Sequence, residues 1–411
     1  MTPIGIGRSR VAELETAHLL RVEDGNHGEY RPRPNEFVAD GVAFIRAADM
    51  LDGRVMFATA ERINETARLR IRKGIGQAFD VLLSHKGTVG KVAYAPLNSP
   101  PFVCSPQTTF WRSLDHKVIN PRFLFYYLLS SDFQNQLSAL KGETDMADYV
   151  SLSTQRQLTL EIPPPDVQQS IANLLGAMDD KIDANRRQTE VLVDATMTAY
   201  RTIAARAHSS DLVEQVAAIR GGSTPSTESA KLWSPGVHSW ATPRDMATLR
   251  SPVLWRTERK ISNEGLESIS SRLLPKGTVL LSSRAPIGYL AIAAMPLAIN
   301  QGFIALVPNG RLSSEYMCCW VRASMRAIEA LGNGTTFMEV SKRSFRVLRV
   351  PIPPSSLLSQ FEAFARPAFQ LMLNLERQID HLALLRDLLL PKLISGDLRA
   401  RKTEQSVETL T

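Results

Sequence analysis

The chain has 411 residues, 44% of them hydrophobic and 22% charged, with a formal net charge of +7 and a sequence pI near 9.4. That length is too great for one compact core and predicts two to four domains of ordinary globular composition. The positive balance favours an anionic partner, nucleic acid being the commonest, and three cysteines, Cys104, Cys318 and Cys319, exclude a disulfide framework. The N-terminus carries no apolar signal core, and the longest apolar run, Tyr289 to Ile299, falls far short of the roughly 18 residues a membrane span needs. A cytoplasmic protein with no membrane segment is expected.

Residues 1–165 read as a mixed domain of short strands and few helices. Asp24-Gly-Asn-His-Gly28 is a dense turn cluster. Val38 to Ile45 and Asp80 to Ser84 are predicted strands, and Lys86-Gly-Thr-Val-Gly90 is a turn into a strand over Lys91 to Tyr94. Pro121 to Leu140 reads as a helix with Phe123, Tyr126, Tyr127, Leu137 and Leu140 toward the core. Ile162-Pro-Pro-Pro-Asp166 then supplies a rigid hinge and an Asp cap for a long helix within residues 166–207. Its apolar positions Ile171, Leu175, Met178 and Ile182 are spaced in fours and threes. A polar gap at Asn185 and Thr189 follows, and the pattern resumes at Leu192, Tyr200 and Ile203.

Residues 208–355 repeat this plan. Val279-Leu-Leu-Ser282 stands to Val81-Leu-Leu-Ser84 as Ile287-Gly288 stands to Val89-Gly90, at one constant offset, and Ile352-Pro-Pro354 recurs after Ile162-Pro-Pro164. Ser313 to Leu331 matches the late helix of the first copy. Residues 356–399 hold a second long helix, launched by a proline hinge and Ser, with seam positions Ala368, Met372, Leu375, Ile379, Leu382, Leu389 and Leu393 and a break at Arg386. Residues 400–411 are polar, aperiodic and read as a disordered tail.

The fold predicted is therefore α/β, in the mixed α+β sense. Two repeated strand-rich domains are separated by two long helices that pair as an antiparallel coiled coil; the alternative is two amphipathic helices on separate cores. Antiparallel pairing would place the domains at opposite ends with approximate two-fold symmetry. About 27 residues of seam at ~1.5 Å each give roughly 40 Å, close to the ~34–36 Å of one duplex turn.

Leu384-Leu-Arg-Asp-Leu-Leu-Leu-Pro-Lys-Leu-Ile-Ser-Gly396 resembles the specificity subunit of type I restriction-modification systems. So do Gly221-Gly-Ser-Thr-Pro225 followed by Trp240-Ala-Thr-Pro-Arg-Asp245, and Asp24-Gly-Asn-His-Gly28 followed by Gly41-Val-Ala-Phe-Ile45. The similarity covers nearly the whole chain. It implies a non-catalytic subunit in which each globular half is a target-recognition domain for one part of a split double-stranded DNA sequence. It also implies that the paired helices space the halves and dock two methyltransferase (modification) subunits, joined by motor-nuclease (restriction) subunits. No cofactor is expected on this chain; S-adenosylmethionine, ATP and Mg are expected on the partner subunits. The first long helix lacks the Arg-Asp-x-Leu-Leu-Pro signature of the second.

Two other functional classes are weighed against this one, a stand-alone DNA adenine methyltransferase and a coiled-coil adaptor that binds no nucleic acid. Ser99-Pro-Pro-Phe102 matches the tetrapeptide with which amino-methyltransferases hold a flipped base. However, Gly74-Ile-Gly76 is a poor cofactor loop, and the second copy has Leu297-Ala-Ile-Asn300 in place of the tetrapeptide. Gly87-Thr-Val-Gly-Lys91 imitates a phosphate loop, but His85 and Val92 stand where Gly and Ser or Thr belong. Ser84 and His85 are neighbours on a strand and face opposite ways, which argues against a nucleophile and base. Cys318 and Cys319 lie in an apolar helix with no His at ligand spacing, so no metal site is expected. The DNA-facing candidates are Lys86 and Arg284, at equivalent places in the two copies, with Arg31, Arg33, Lys91, Arg244 and Arg343. His27 reads as a local hydrogen-bond partner in its turn rather than a base reader.

Overall fold

A computed structural model describes residues 7–140, 148–247, 249–284, 286–332 and 338–398; the tail expected over 400–411 lies outside them. The chain forms two compact units, residues 1–180 with 383–411 and residues 181–382, so each unit takes in a stretch of both long helices. Those helices are Pro165–Ala204 and Ser355–Ile394, 40 residues each. The expected Asp and Ser caps prove to lie inside them. The carbonyl of Pro164 accepts from the Val167 and Gln168 amides, and that of Pro354 from Leu357 and Leu358, so each proline hinge closes the first turn through its own carbonyl. Asp166 instead supplies negative charge to the first turn, where the helix dipole favours it.

In the 1–180 unit a six-stranded sheet runs in the order Leu20–Asp24, Thr108–Ser113, Val81–Ser84, Val92–Tyr94, Arg54–Val55, Met50–Leu51. A five-stranded sheet of shorter strands contains Val42–Ile45 and Phe102–Cys104 as parallel neighbours. Unit 181–382 repeats the arrangement with Ala217–Gly221, Phe303–Pro308, Val279–Ser283, Ile287–Ala293 and Val253–Leu254. Its second sheet has three strands, with His238–Ala241 parallel to Ala298–Ile299. A two-stranded ribbon closes each copy, Gly7–Arg10 with Thr159–Ile162 and Ser209–Leu212 with Arg349–Ile352.

Three predicted elements are divided. The strand expected over Val38 to Ile45 is two, Phe37–Val38 and Val42–Ile45. Both pair with Arg62–Ile63, and at Gly41 between them a Cβ would come within 2.3 Å of the Ile63 carbonyl oxygen. The late helices split into Pro121–Leu129 with Ser131–Ala139 and Ser314–Ala323 with Met325–Glu329, and Leu140 is only half-buried. The Ser130 side chain caps the second helix of the first pair by accepting from the Phe133 amide.

Ile171, Leu175, Met178 and Ile182 are buried, as are Met372, Leu375 and Ile379, whereas Leu192, Leu382 and Leu389 are half-buried. The polar gap turns out to be interior: Asn185 and Thr189 are at most 1% exposed, as is Thr196 one turn beyond Leu192. A straight helix drifts about 20° per heptad against a strict seven-residue repeat. Three heptads from Ile171, that drift has turned Leu192 toward the rim and brought Met197 and Tyr200 inward. Within unit 181–382, Asn185 Nδ2 donates to Gln378 Oε1 at 3.0 Å, and Met197, Tyr200 and Ile203 share a core with Phe361, Ala365, Ala368 and Met372. One helix's numbers rise as the other's fall, so the pairing there is antiparallel.

Ile379 lies in that seam, so Ile379→Asp should cost about 3–4 kcal/mol by burying an unpaired carboxylate. Urea unfolding of the full chain measures this; a loss under about 1 kcal/mol would mean that Ile379 is not enclosed.

Candidate nucleic-acid interface

Each unit holds its equivalent cation in the same backbone mould. The strand Val81–Ser84 is buried along its whole length, and so is Val279–Ser283. The next backbone contacts also correspond. The His85 amide donates to the Gln107 carbonyl and the His85 carbonyl accepts from Val150; Ser283 does the same with Gly302 and Val340. The following residue forms an antiparallel bridge in both copies, Lys86 to Tyr149 and Arg284 to Glu339. Ser84 Oγ accepts from the Lys91 amide and Ser282 Oγ from the Tyr289 amide, 2.8 Å in each case. These serines close the hairpin and are not free nucleophiles.

The turn motifs of the two copies, which resemble the family's, form the opposite wall. At Gly25 a Cβ would sit 1.9 Å from the Ser105 carbonyl oxygen, and at Gly222 it would sit 2.1 Å from that of Ile299. Glycine is therefore required at both turns by close backbone approach. The next amide completes the correspondence, Asn26 donating to Cys104 and Ser223 to Ile299.

The side chains in the moulds differ. His85 is 3% exposed, with its Nδ1 3.1 Å from the Val150 carbonyl oxygen and its Nε2 3.9 Å from Asp24. Burial pushes its pKa down, against the opposing pull of Asp24. The Tyr149 ring lies over it, centroids 5.5 Å apart. In unit 181–382 the corresponding cleft is open, about 470 Å³, and is lined by Gly221, Ser283, Gln301, Glu339 and Lys342.

The remaining candidates occupy varied settings. Lys86 and Arg343 are exposed, the latter on the short helix Lys342–Arg346 beside that cleft. Arg284 sits 3.7 Å from Glu339, and Arg244 3.7 Å from Glu258. Lys91 is turned inward, its ammonium donating to the Ala47 carbonyl at 3.0 Å. Arg31 and Arg33 are exposed on a segment pinned by buried Glu36, which receives two bonds from Arg70 at 2.6 and 2.7 Å; Arg70 also reaches the Arg31 carbonyl. His27 is exposed, its Nδ1 3.2 Å from the Gly25 carbonyl oxygen, a local contact in its own turn. Sequence reasoning missed Tyr149, Gln301, Glu339 and Lys342. Tyr149 and Glu339 lie far along the chain from the cations they bridge, and only the 190-position recurrence of the Ile-Pro-Pro motif could have aligned them.

The aromatic of the methyltransferase tetrapeptide does not face solvent as a base clamp would. Phe102 is 1% exposed and packs on Phe57 with centroids 5.3 Å apart, and a Cβ at Gly76 would strike its ring. Cys318 and Cys319 are packed in the core, where burial raises both thiols, Cys319 to about 12.

The family model for the type I restriction modification DNA specificity domain matches residues 39–193 and again 212–360. The chain belongs to this family. Like the two copies seen in the fold, the two matches place one specificity domain in each half of the sequence. Among relatives of this specificity subunit, the MjaIX specificity subunit of Methanocaldococcus jannaschii is 36% identical over 143 residues, 34% of this chain and 33% of that protein. The HindI specificity subunit of Haemophilus influenzae is 19% identical over 87% of this chain and 94% of its own length. The S subunit from M. genitalium has the same fold, with a TM-score of 0.59 at 15% identity and coverage of 96% of this chain and 97% of that one.

Arg70 holds the Glu36 carboxyl down at about 2, well below its ordinary 4.5. A depressed carboxylate stabilises the fold fully above its unfolded value and loses that contribution as pH falls through the folded one. The urea midpoint of the full chain should therefore exceed that of Glu36→Gln above pH 4.5, with the gap narrowing as pH falls toward 2. A gap independent of pH would show that the Glu36 charge does not anchor this segment.

Proposed function

We propose that this specificity subunit is the non-catalytic DNA-recognition part of a type I restriction-modification complex, each of its two repeats reading one half of a bipartite double-stranded target. The observation that carries this reading is the pair of matching moulds, which present Lys86 and Arg284 at the same backbone position beside side chains that differ. A shared scaffold with divergent side chains is what reading two different half-sites requires, because phosphate contacts position a protein while base-edge contacts specify sequence. The long helices are the docking surface for two modification subunits, with motor-nuclease subunits joining that core. S-adenosylmethionine, ATP and Mg belong to those partners.

A feature of the 1–180 unit supports docking at its stretch of the C-terminal helix. Leu384 and Leu388 are 60% and 57% exposed there, beside an open groove of about 590 Å³ lined by Phe125, Leu129, Leu390 and Pro391. Leucines left in water one helical turn apart, beside an open groove, mark a protein contact. Arg386, also on the groove's wall, pairs with Asp179 at 2.7 Å. No described helix is long and apolar enough to cross a membrane.

Binding of the full chain to duplex DNA over a salt series tests the reading. Affinity should fall linearly in log–log form with salt, and Lys86→Ala should reduce the slope by about one with a similar loss on every sequence. Salt-independent association would sink the DNA reading. Replacing residues 208–355 with the equivalent domain of a relative should change one part of the recognised sequence and leave the other intact. A methylation map altered in both parts, from a complex that still assembles, would contradict independent reading by the two repeats.

A further inference from the structure

Resting on the DNA-reading function above, we propose that Glu339 and Arg284 are the specificity-determining pair of the 181–382 unit, and that together they read the major-groove edge of one C·G base pair. The moulds share the backbone contacts named above, so differences in what they read must come from the side chains they hold. Where the first unit has Asp24, His85 and Tyr149 filling the space, the second has Gly221, Ser283 and Glu339, and the space opens into the 470 Å³ cleft. Glu339 lines it and Arg284 is bridged to Glu339 across the backbone, with flanking residues Ser283 and Val340 hydrogen-bonded to each other. Their positions are set before any ligand arrives.

The pair is also free to be used. Its two groups are 3.7 Å apart with side chains 36% and 49% exposed, an arrangement in which an ion pair contributes little. Opening it onto a base edge therefore sacrifices little. A carboxylate only accepts hydrogen bonds, and a guanidinium only donates them through a planar fork. Cytosine N4 offers a donor in the major groove, and guanine beside it offers adjacent O6 and N7 acceptors that the fork engages together. In an A·T pair the adenine N6 donor lies between the N7 and O4 acceptors, so the fork cannot take both. Lys342, whose ammonium lies against Gly221, and Arg343 on the same short helix supply positive charge for the neighbouring phosphates.

The test is selection of duplexes from a randomised pool by the full-length chain, comparing the wild-type protein with Glu339→Gln and Arg284→Lys. Both variants keep side-chain size at exposed positions, and thermal melting checks that they fold. The wild-type protein should enrich a two-block motif with a C·G pair at one position of one block. Each variant should lower the preference at that position by roughly tenfold to a hundredfold, leaving the other block unchanged. A wild-type motif retained by both variants would overturn the assignment and leave the DNA-reading function standing. So would a changed position that is A·T in the wild-type motif. Failure of the wild-type chain to enrich any motif, with no salt-dependent binding, would remove the DNA-reading function and this pair with it.

Discussion

Burial of the Val-Leu-Leu-Ser strand on both faces is the constraint on which each unit depends. In residues 279–281 the side chains alternate between two cores, Val279 and Leu281 joining one and Leu280 the other. Such a strand cannot slip by one residue without exchanging its faces. It is also paired along both edges, by 287–293 and 303–308, as its counterpart 81–84 is by 92–94 and 108–113. The point at which the chain leaves the sheet is thereby fixed, and the next residue emerges at one place. In both copies a cation stands two residues past the shared serine, Lys86 after Ser84 and Arg284 after Ser282.

A backbone held by hydrogen bonds and glycine contacts tolerates changes in the side chains it presents. Gly25 and Gly222 are confined by neighbouring carbonyls, whereas Tyr149 and Glu339 stand partly in solvent at the rim. Buried strands and tight turns therefore resist substitution, and the residues on the rim can vary without unfolding the unit.

The helices combine two kinds of information. Apolar burial at Ile182, Met372, Leu375 and Ile379 favours association of any two such helices, and the interior Asn185, bonded to Gln378, favours one alignment because a shifted one would strand its amide. Leu384 and Leu388 are left outside the seam by the same geometry that turns Arg386 toward Asp179. A leucine-rich sequence thus divides into one face for its own chain and another left exposed.

The periodicity of the apolar residues was enough to predict both long helices, and recurrence of Val-Leu-Leu-Ser and Ile-Pro-Pro was enough to show the duplication. Both are local patterns that a backbone with a 3.6- or two-residue period turns directly into buried faces. Sequence alone also placed Lys86 and Arg284 at equivalent positions, since a constant offset carries over from strand to loop. Only the tertiary structure decided which cations face outward: Lys91 is turned in by the Ala47 carbonyl, a partner 44 positions away. It also placed Asn185 and Thr189 in the interior, because helix drift and the partner helix, not polarity, choose the buried face. Tyr149 and Glu339 came to the site through backbone bridges spanning more than fifty residues. Long-range pairing of that kind leaves no periodic trace in the chain, because its energy resides in hydrogen bonds that any residue but proline can make.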